Sequence, residues 1–202
     1  MPKVSDAHRA ARRRQILDAA GRCFVRDGFH ATSMQDVFRE SGLSAGAVYR
    51  YFPSKHAIVS AIAHEVLDEV TAAIDEVAGA DPVPPLEEAM ARVLAVADRL
   101  TGPRGAGRIA LQVWSEAQRD PLLADLVATA YGSLRARFAQ LVRAARDAGQ
   151  VPPGTDPEQL GAVLFGVQLG YVLQRLLLGD LDPAAYGAGI GSLLSAHAAA
   201  RS

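Results

Sequence analysis

The chain has 202 residues, of which 50% are hydrophobic, and a formal net charge of −1 at pH 7. This length fits one large domain or a small domain joined to a larger one, and the composition supports a sizeable core. The single cysteine, Cys23, excludes an intrachain disulfide framework and a cysteine metal cluster, and no apolar run reaches the ~18 residues of a membrane span. We expect a soluble, cytoplasmic protein that does not enter a membrane.

The first quarter of the chain predicts two helices. Apolar residues recur every three or four positions over residues 10–27, and Gly28 follows as a helix end. Thr32 with Gln35 three residues later resembles a capping box. The short second helix that begins there is predicted to end at Gly42.

Two more helices follow directly. Ser44 can cap a third helix whose inward face carries Val48 and Phe52. Pro53 stops this helix, because the residue before a proline is pushed out of the helical region. Ser54 can cap a fourth, longer helix with a regular apolar stripe.

Five further helical patterns follow a break rich in proline and glycine at residues 79–85. Three of them start with Asp-Pro, where the aspartate accepts from free amides and the proline has no amide to leave unpaired. These three starts are Asp120-Pro121, Asp156-Pro157 and Asp182-Pro183. The five patterns cover about residues 86–101, 106–118, 122–148, 157–178 and 184–199. Since no strand alternation is visible, the predicted fold class is all-α.

Residues 33–52 combine two short helices with a tight turn, which is typical of a helix-turn-helix. In that motif the second helix lies in the DNA major groove with its N-terminal residues at the base edges. Small residues at the start of the predicted third helix allow this close approach. Tyr49 and Tyr51 offer rings and hydroxyls, and Arg50 can reach phosphate or guanine. Lys55 lies at a helix start, where free amides favour phosphate.

Charge supports this placement of DNA at one end of the chain. Residues 1–56 carry ten Lys and Arg and five Asp and Glu, so this part is basic. The rest of the chain carries the other eleven basic and seventeen acidic residues, so it is acidic. A basic head on an acidic body predicts that only the head meets a polyanion.

The stretch FHATSMQDVFRESGLSAGAVYRYFPSK closely resembles the DNA-binding domain of the TetR family of transcriptional regulators, over about residues 10–60. It departs from the family pattern at Phe38, where a small residue is usual, at Tyr51, where histidine is frequent, and at His56, where an acid is frequent. The residues that carry the resemblance are Thr32, Ser33, Gly42, Leu43, Ser44, Val48, Tyr49, Tyr51, Phe52 and Lys55.

The resemblance implies about nine helices, with a three-helix DNA-binding domain at 1–56 and a larger helical bundle for ligand binding and dimerisation at 57–202. It implies a bacterial regulator, most often a repressor, that binds a palindromic DNA operator as a homodimer and is released by a small effector. Transferred by position, the DNA contacts fall on Thr32, Ser33, Gln35, Ser44, Ala45, Gly46, Tyr49, Arg50, Tyr51 and Lys55.

The last two helical patterns are candidates for the dimer interface. Residues 160–178 are apolar nearly all round the helix, which indicates burial on more than one side. Contact across a two-fold axis and burial within one chain both explain this pattern. With the resemblance, we expect an interface through Leu164, Val167, Tyr171, Ile190, Leu193 and Leu194.

An effector site needs a few polar groups among apolar neighbours. The candidates in the body are Gln112, Trp114, Tyr131, Phe138, Gln168 and Tyr171, and core packing is the alternative for each of them. This set favours a hydrophobic or aromatic effector.

Two other classes of function are weighed against a regulator. The five histidines are scattered without metal-ligand spacing, and no glycine-rich phosphate loop is present. The sequence therefore predicts no enzyme, no metal and no cofactor. A helical adaptor with a non-functional helix-turn-helix is the alternative, and the intact Tyr49, Tyr51 and Lys55 argue against it.

Overall fold

A computed structural model describes residues 6–102, 107–179 and 181–199, with side chains described as far as Leu193. Within these ranges every regular element is an α-helix and no strand occurs, which confirms the all-α prediction. The helices are α1 (Asp6–Asp27), α2 (Met34–Ser41), α3 (Ala45–Tyr49), α4 (Lys55–Ala78), α5 (Leu86–Thr101), α6 (Gly107–Ala117), α7 (Pro121–Asp147), α8 (Pro157–Leu177) and α9 (Pro183–Ala199).

The three Asp-Pro pairs each begin a helix, as predicted. In every case an Oδ1 atom of the aspartate accepts a hydrogen bond from an amide of the first turn, so the local sequence alone fixes these starts. The donors are the amides of Leu122 at 3.0 Å, Glu158 at 2.8 Å and Ala185 at 2.8 Å.

The chain divides into two compact units. The first holds the residues up to Glu65 together with Arg108–Ala128, and the second holds Val66–Gly107 and the residues from Thr129 onward. Nearly all of α6 and the start of α7 thus join the N-terminal helices. The domain boundary between residues 56 and 57 stays a prediction.

The core of the first unit is built where α1 packs against α2 and α2 against α3. Ile16, Phe24, Val37, Val48 and Ile58 are all fully buried there. Buried apolar side chains at helical spacing give these short helices a stability that they lack in isolation. They form the rigid support on which the turn between α2 and α3 is presented.

In the second unit, glycines let helices approach closely. A Cβ atom added to Gly161 of α8 would lie 2.7 Å from the backbone nitrogen of Ala139 in α7. A Cβ added to Gly187 of α9 would lie 2.8 Å from the Cβ of Ala91 in α5. Only glycine fits at these crossings, and the helices that approach belong to the same chain.

The inward face of α8 corrects part of the predicted dimer interface. Leu164 is 3% exposed, Tyr171 fully buried and Ile190 of α9 7% exposed. These three side chains fill the core of the second unit, so they are not available to a partner chain. Val167 packs partly against the same core, whereas Leu193 is 76% exposed. The side chain of Leu194 lies outside the described residues.

Candidate nucleic-acid interface

Helix α2 begins with a capping box formed by Ser33 and Asp36. The Ser33 hydroxyl accepts from the Asp36 amide at 3.3 Å, and the Asp36 carboxylate accepts from the Ser33 amide at 2.9 Å. Hydrogen bonds from Ser33 hold the pKa of Asp36 below its usual range. The predicted box of Thr32 and Gln35 was therefore wrong by one residue. Thr32 is 1% exposed and its hydroxyl donates to the carbonyl of Gly28 at 2.7 Å.

The end of α2 sets the direction of α3. Gly42 adopts a left-handed conformation with φ of 67°. Its amide donates to the carbonyl of Arg39, and the amide of Leu43 donates to that of Phe38, each at 3.3 Å. These two bonds form a Schellman motif, which stops a helix and turns the chain away from its axis. Ser44 then caps the first turn of α3, as predicted.

α3 and its two flanking residues present an exposed patch that begins with small side chains. Val48 is fully buried on the inner side of α3, while a Cβ added to Gly46 on the outer side would meet nothing within 4 Å. Among the described residues, no carboxylate pairs with Arg50. The exposed members of this patch, which we call the α3 face, are Ser44, Ala45, Gly46, Tyr49 and Arg50.

Four other predicted DNA contacts lie before α2, at its start or just after α3. Ser33 and Gln35 are exposed at the start of α2, and Tyr51, just beyond α3, is half-buried. The burial of Thr32 corrects its predicted contact with DNA, because its side chain cannot reach a ligand on the surface. The other predicted DNA contacts stay predictions.

Lys55 lies in a cage of backbone carbonyl groups. Its Nζ atom donates to the carbonyl oxygens of Phe29 at 2.6 Å, Thr32 at 2.8 Å and His30 at 3.3 Å. The same atom lies 4.3 Å from the centroid of the Phe29 ring. Burial lowers the pKa of the Lys55 ammonium group. This geometry favours a structural role, in which Lys55 holds the loop before α2, and its phosphate contact stays a prediction.

Two contacts that sequence reasoning missed tie the loop and α4 to residues far along the chain. The amide of Phe29 donates to Oε1 of Gln112 in α6 at 3.0 Å. Nε2 of His56 lies 2.6 Å from Oδ2 of Asp120, and this bond lowers the pKa of Asp120. Gln112, a predicted effector contact, thus already has a partner in the first unit. Trp114 on the same helix is partly buried.

The aromatic effector candidates of the second unit lie in its core. The ring of Tyr131 is 5.1 Å from that of Phe165 at an angle of 65°, and the ring of Phe138 is 6.5 Å from the same phenylalanine. Phe138 is fully buried and Tyr131 partly so. α7 and α8 therefore share one aromatic cluster.

The remaining two candidates, both on α8, have different surroundings. The Tyr171 hydroxyl donates to Oδ1 of Asp98 at 2.8 Å, and Nε of Arg175 donates to the same atom at 2.6 Å. Burial raises the pKa of Asp98, but the bonds from Arg175 and Tyr171 outweigh burial and hold it below its usual range. Gln168 is 5% exposed, and its buried Oε1 atom accepts no hydrogen bond from any described residue.

Both parts of the chain match a known family. Residues 16–62 match the bacterial regulatory proteins of the tetR family, and residues 85–199, more than half of the chain, match the C-terminal part of BetI-type transcriptional repressors. The chain belongs to the TetR family. TetR-family proteins are transcriptional regulators, which are not enzymes, and the resemblance inferred from residues 10–60 is confirmed.

Individual relatives fit this assignment. The transcriptional repressor Rv1474c of Mycobacterium tuberculosis is 43% identical over 72 residues, which are 36% of this chain and 38% of that repressor. The chain spans about two fifths of the length of the curated relatives matched first. GusR of Salmonella enterica has a TM-score of 0.79 at 21% identity, over 96% of this chain and 97% of its own. SmeT in complex with triclosan has a TM-score of 0.75 at 22% identity, over 86% and 84%. These structures share the TetR fold.

Proposed function

We propose that this chain is a ligand-responsive transcriptional repressor that binds a palindromic DNA operator as a homodimer. The observation that carries the proposal is the exposed α3 face. It begins with the small residues Ser44, Ala45 and Gly46 and ends with Tyr49 and Arg50. Small side chains let the backbone approach base edges, while an arginine can read guanine or hold a phosphate. Ser33, Tyr49 and the backbone at the start of α4 are proposed to contact phosphates, and such contacts fix orientation without reading sequence.

We propose that the chain dimerises through the outer face of α8 and α9. Val163, Leu173 and Leu177 on α8 are 58%, 40% and 67% exposed, and a Cβ added to Gly166 would meet nothing within 4 Å. Positions 163, 166, 170, 173 and 177 alternate steps of three and four, the spacing of a helix-pairing seam. This outer seam replaces the buried Leu164, Tyr171 and Ile190 as the proposed contact. A palindromic operator requires the two recognition helices of such a dimer at half-site spacing, on the order of 34–36 Å or a multiple.

Contrary to the expectation that no stretch is long and apolar enough, α8 could cross a membrane by length and composition alone. Its inner face is already occupied by the core, since Leu164, Phe165 and Tyr171 are buried there. A narrow outer seam fits a partner helix better than surrounding lipid. We therefore favour a protein partner over a membrane, and a cytoplasmic location at the chromosome when bound to DNA.

An effector bound in the second unit is proposed to release the DNA. SmeT is known as a complex with triclosan, a precedent for a small ligand on this fold. The ligand must bind the state without DNA more tightly, because equal affinity for both states shifts no population. The aromatic cluster of Tyr131, Phe138 and Phe165 favours an apolar or aromatic molecule.

Fluorescence anisotropy against the gene's own upstream intergenic DNA and a scrambled duplex, at 50 and 200 mM salt, tests the proposal. We expect sequence-dependent binding that weakens by about 10³-fold or more at the higher salt, as six or more phosphate contacts require. Gly46→Glu should abolish binding, since a carboxylate would face DNA, whereas Gly132→Glu should not, because Gly132 is equally open but lies on α7. Equal weak binding to both duplexes would contradict the proposal and favour the adaptor.

A further inference from the structure

One buried polar atom in the second unit has no hydrogen-bond partner among the described residues. Gln168 is 95% buried, yet its Oε1 atom accepts no hydrogen bond from the residues described here. Such an unsatisfied acceptor destabilises a fold, whereas a methionine of similar shape would not. The glutamine therefore calls for an explanation outside the stability of the free protein.

Helical spacing places Gln168 among the aromatic side chains of α8. It follows Phe165 by three residues and precedes Tyr171 by three, so these side chains share the inner face of α8. Phe165 belongs to the aromatic cluster with Tyr131 and Phe138. Gln168 thus lies between this cluster and Tyr171, whose ring is 5.2 Å from that of Tyr186. A small number of polar groups among aromatic rings is the usual composition of a pocket that orients an apolar ligand.

The charges of α8 and of Asp98 favour a neutral ligand. Residues 159–174 of α8 contain no charged side chain. Asp98, which lies against Tyr171, is already paired with Arg175. An amide oxygen cannot neutralise a buried ammonium group, and desolvating an unpaired charge is expensive. A neutral hydroxyl or N–H group needs only the acceptor that Gln168 offers.

We propose that Gln168 is the polar anchor of the effector site, and that the effector is an uncharged molecule with an aromatic or alicyclic body and one hydroxyl or N–H donor. This inference rests on the proposed function, because only a ligand-responsive regulator has an effector. The ligand binding that it predicts can be measured without DNA. The donor satisfies Oε1, and the rings beside it hold the apolar body.

Two matched probe pairs test the anchor by equilibrium dialysis with the full chain. The pairs are 2-naphthol with 2-methoxynaphthalene and indole with 1-methylindole, and only the first member of each pair can donate. We expect the wild type to prefer the donors by about tenfold, the effect of one hydrogen bond to a buried acceptor. Gln168→Met should remove the preference, and Gln159→Met, at an exposed position of α8, should keep it.

Thermal melting separates an anchor from a structural residue. Because Gln168→Met removes an unsatisfied acceptor, the free variant should melt at the wild-type temperature or above, whereas loss of a structural hydrogen bond would lower it. A lower melting temperature, equal affinity for both members of a pair, or failure of all four probes to bind would each overturn the proposal. A wild type that fails on DNA but prefers the donors would refute the proposed function and leave the anchor standing.

Discussion

The ring of Phe38 in α2 stands edge-on to the ring of Tyr49 in α3, with centroids 5.3 Å apart and an angle of 71° between the planes. Tyr49 is 49% exposed, so this contact restrains a side chain that belongs to the α3 face. Phe38→Ala should therefore weaken operator binding although Phe38 itself need not touch DNA. An aromatic pair of this geometry contributes about 0.5–1.5 kcal/mol, which corresponds to a loss of a few-fold to about tenfold.

A double-mutant cycle with Tyr49→Ala measures this coupling. If Phe38 acts through Tyr49, Phe38→Ala should have little further effect once the tyrosine is gone. Additive losses in operator affinity would mean that the two rings act independently.

Lys55 and Arg50 should respond differently to the same substitution. Lys55→Met leaves three carbonyl groups without their charged donor, and we expect the free energy of unfolding to fall by about 1.5–3 kcal/mol. Arg50→Met should leave stability unchanged and reduce operator affinity. The slope of log affinity against log salt concentration should become smaller in magnitude by about one. Urea denaturation and anisotropy distinguish the two. An unchanged unfolding curve for Lys55→Met, with weaker DNA binding, would restore Lys55 as a phosphate contact.

Gly161→Ala should destabilise the second unit. The added Cβ would lie 2.7 Å from the Ala139 nitrogen, so α8 must move away from α7, at a cost of about 1–3 kcal/mol. Gly132→Ala is the matched control, because that helical glycine is open to solvent. It should stabilise the protein by about 0.5–1 kcal/mol through helix propensity. Equal urea midpoints for the two variants would contradict the close crossing.

A charge on the outer seam of α8 should separate the dimer. Leu173→Glu is expected to give monomers in sedimentation velocity, and to lose operator affinity, because a carboxylate would be buried between two apolar helices. Leu122→Glu is a fitting control, since Leu122 is 65% exposed on α7 and lies outside the seam. A Leu173→Glu variant that remains dimeric would place the interface on another face.

Asp98 should contribute to the loss of stability in acid. Its pKa is lowered in the folded chain, so its contribution is present above the unfolded value of about 3.9 and is lost as pH falls through the folded value. Asp98→Asn should melt lower than wild type at neutral pH and show a shallower decline as the pH falls below about 4. Asp125→Asn, which removes an exposed carboxylate, should follow the wild-type curve. Parallel declines for wild type and Asp98→Asn would contradict this role.

The features that could be predicted from sequence are those decided within a few residues. The Asp-Pro starts and the Ser44 cap depend only on neighbouring amides. The capping box shows the limit of such patterns. Thr32 and Ser33 are adjacent and both can cap, and only the burial of Thr32 decides between them.

Features decided by distant neighbours could not be predicted. His56 and Asp120 are 64 residues apart, and nothing local to either indicates the other. The pattern of α8 likewise reveals that it is apolar all round, but not which side faces its own chain. That distinction, between buried Leu164 and exposed Val163, appears only once α7 is in place against Gly161.

The first unit is assembled from two separate stretches of sequence, and this matters for grafting DNA specificity between relatives. A fragment cut after residue 65 loses Gln112, which accepts from Phe29, and Asp120, which holds His56. Chimeric regulators made by exchanging only the N-terminal segment would therefore place a foreign loop against unmatched partners. A transplant has to carry residues 108–128 with it, or the recipient has to supply equivalents of Gln112 and Asp120.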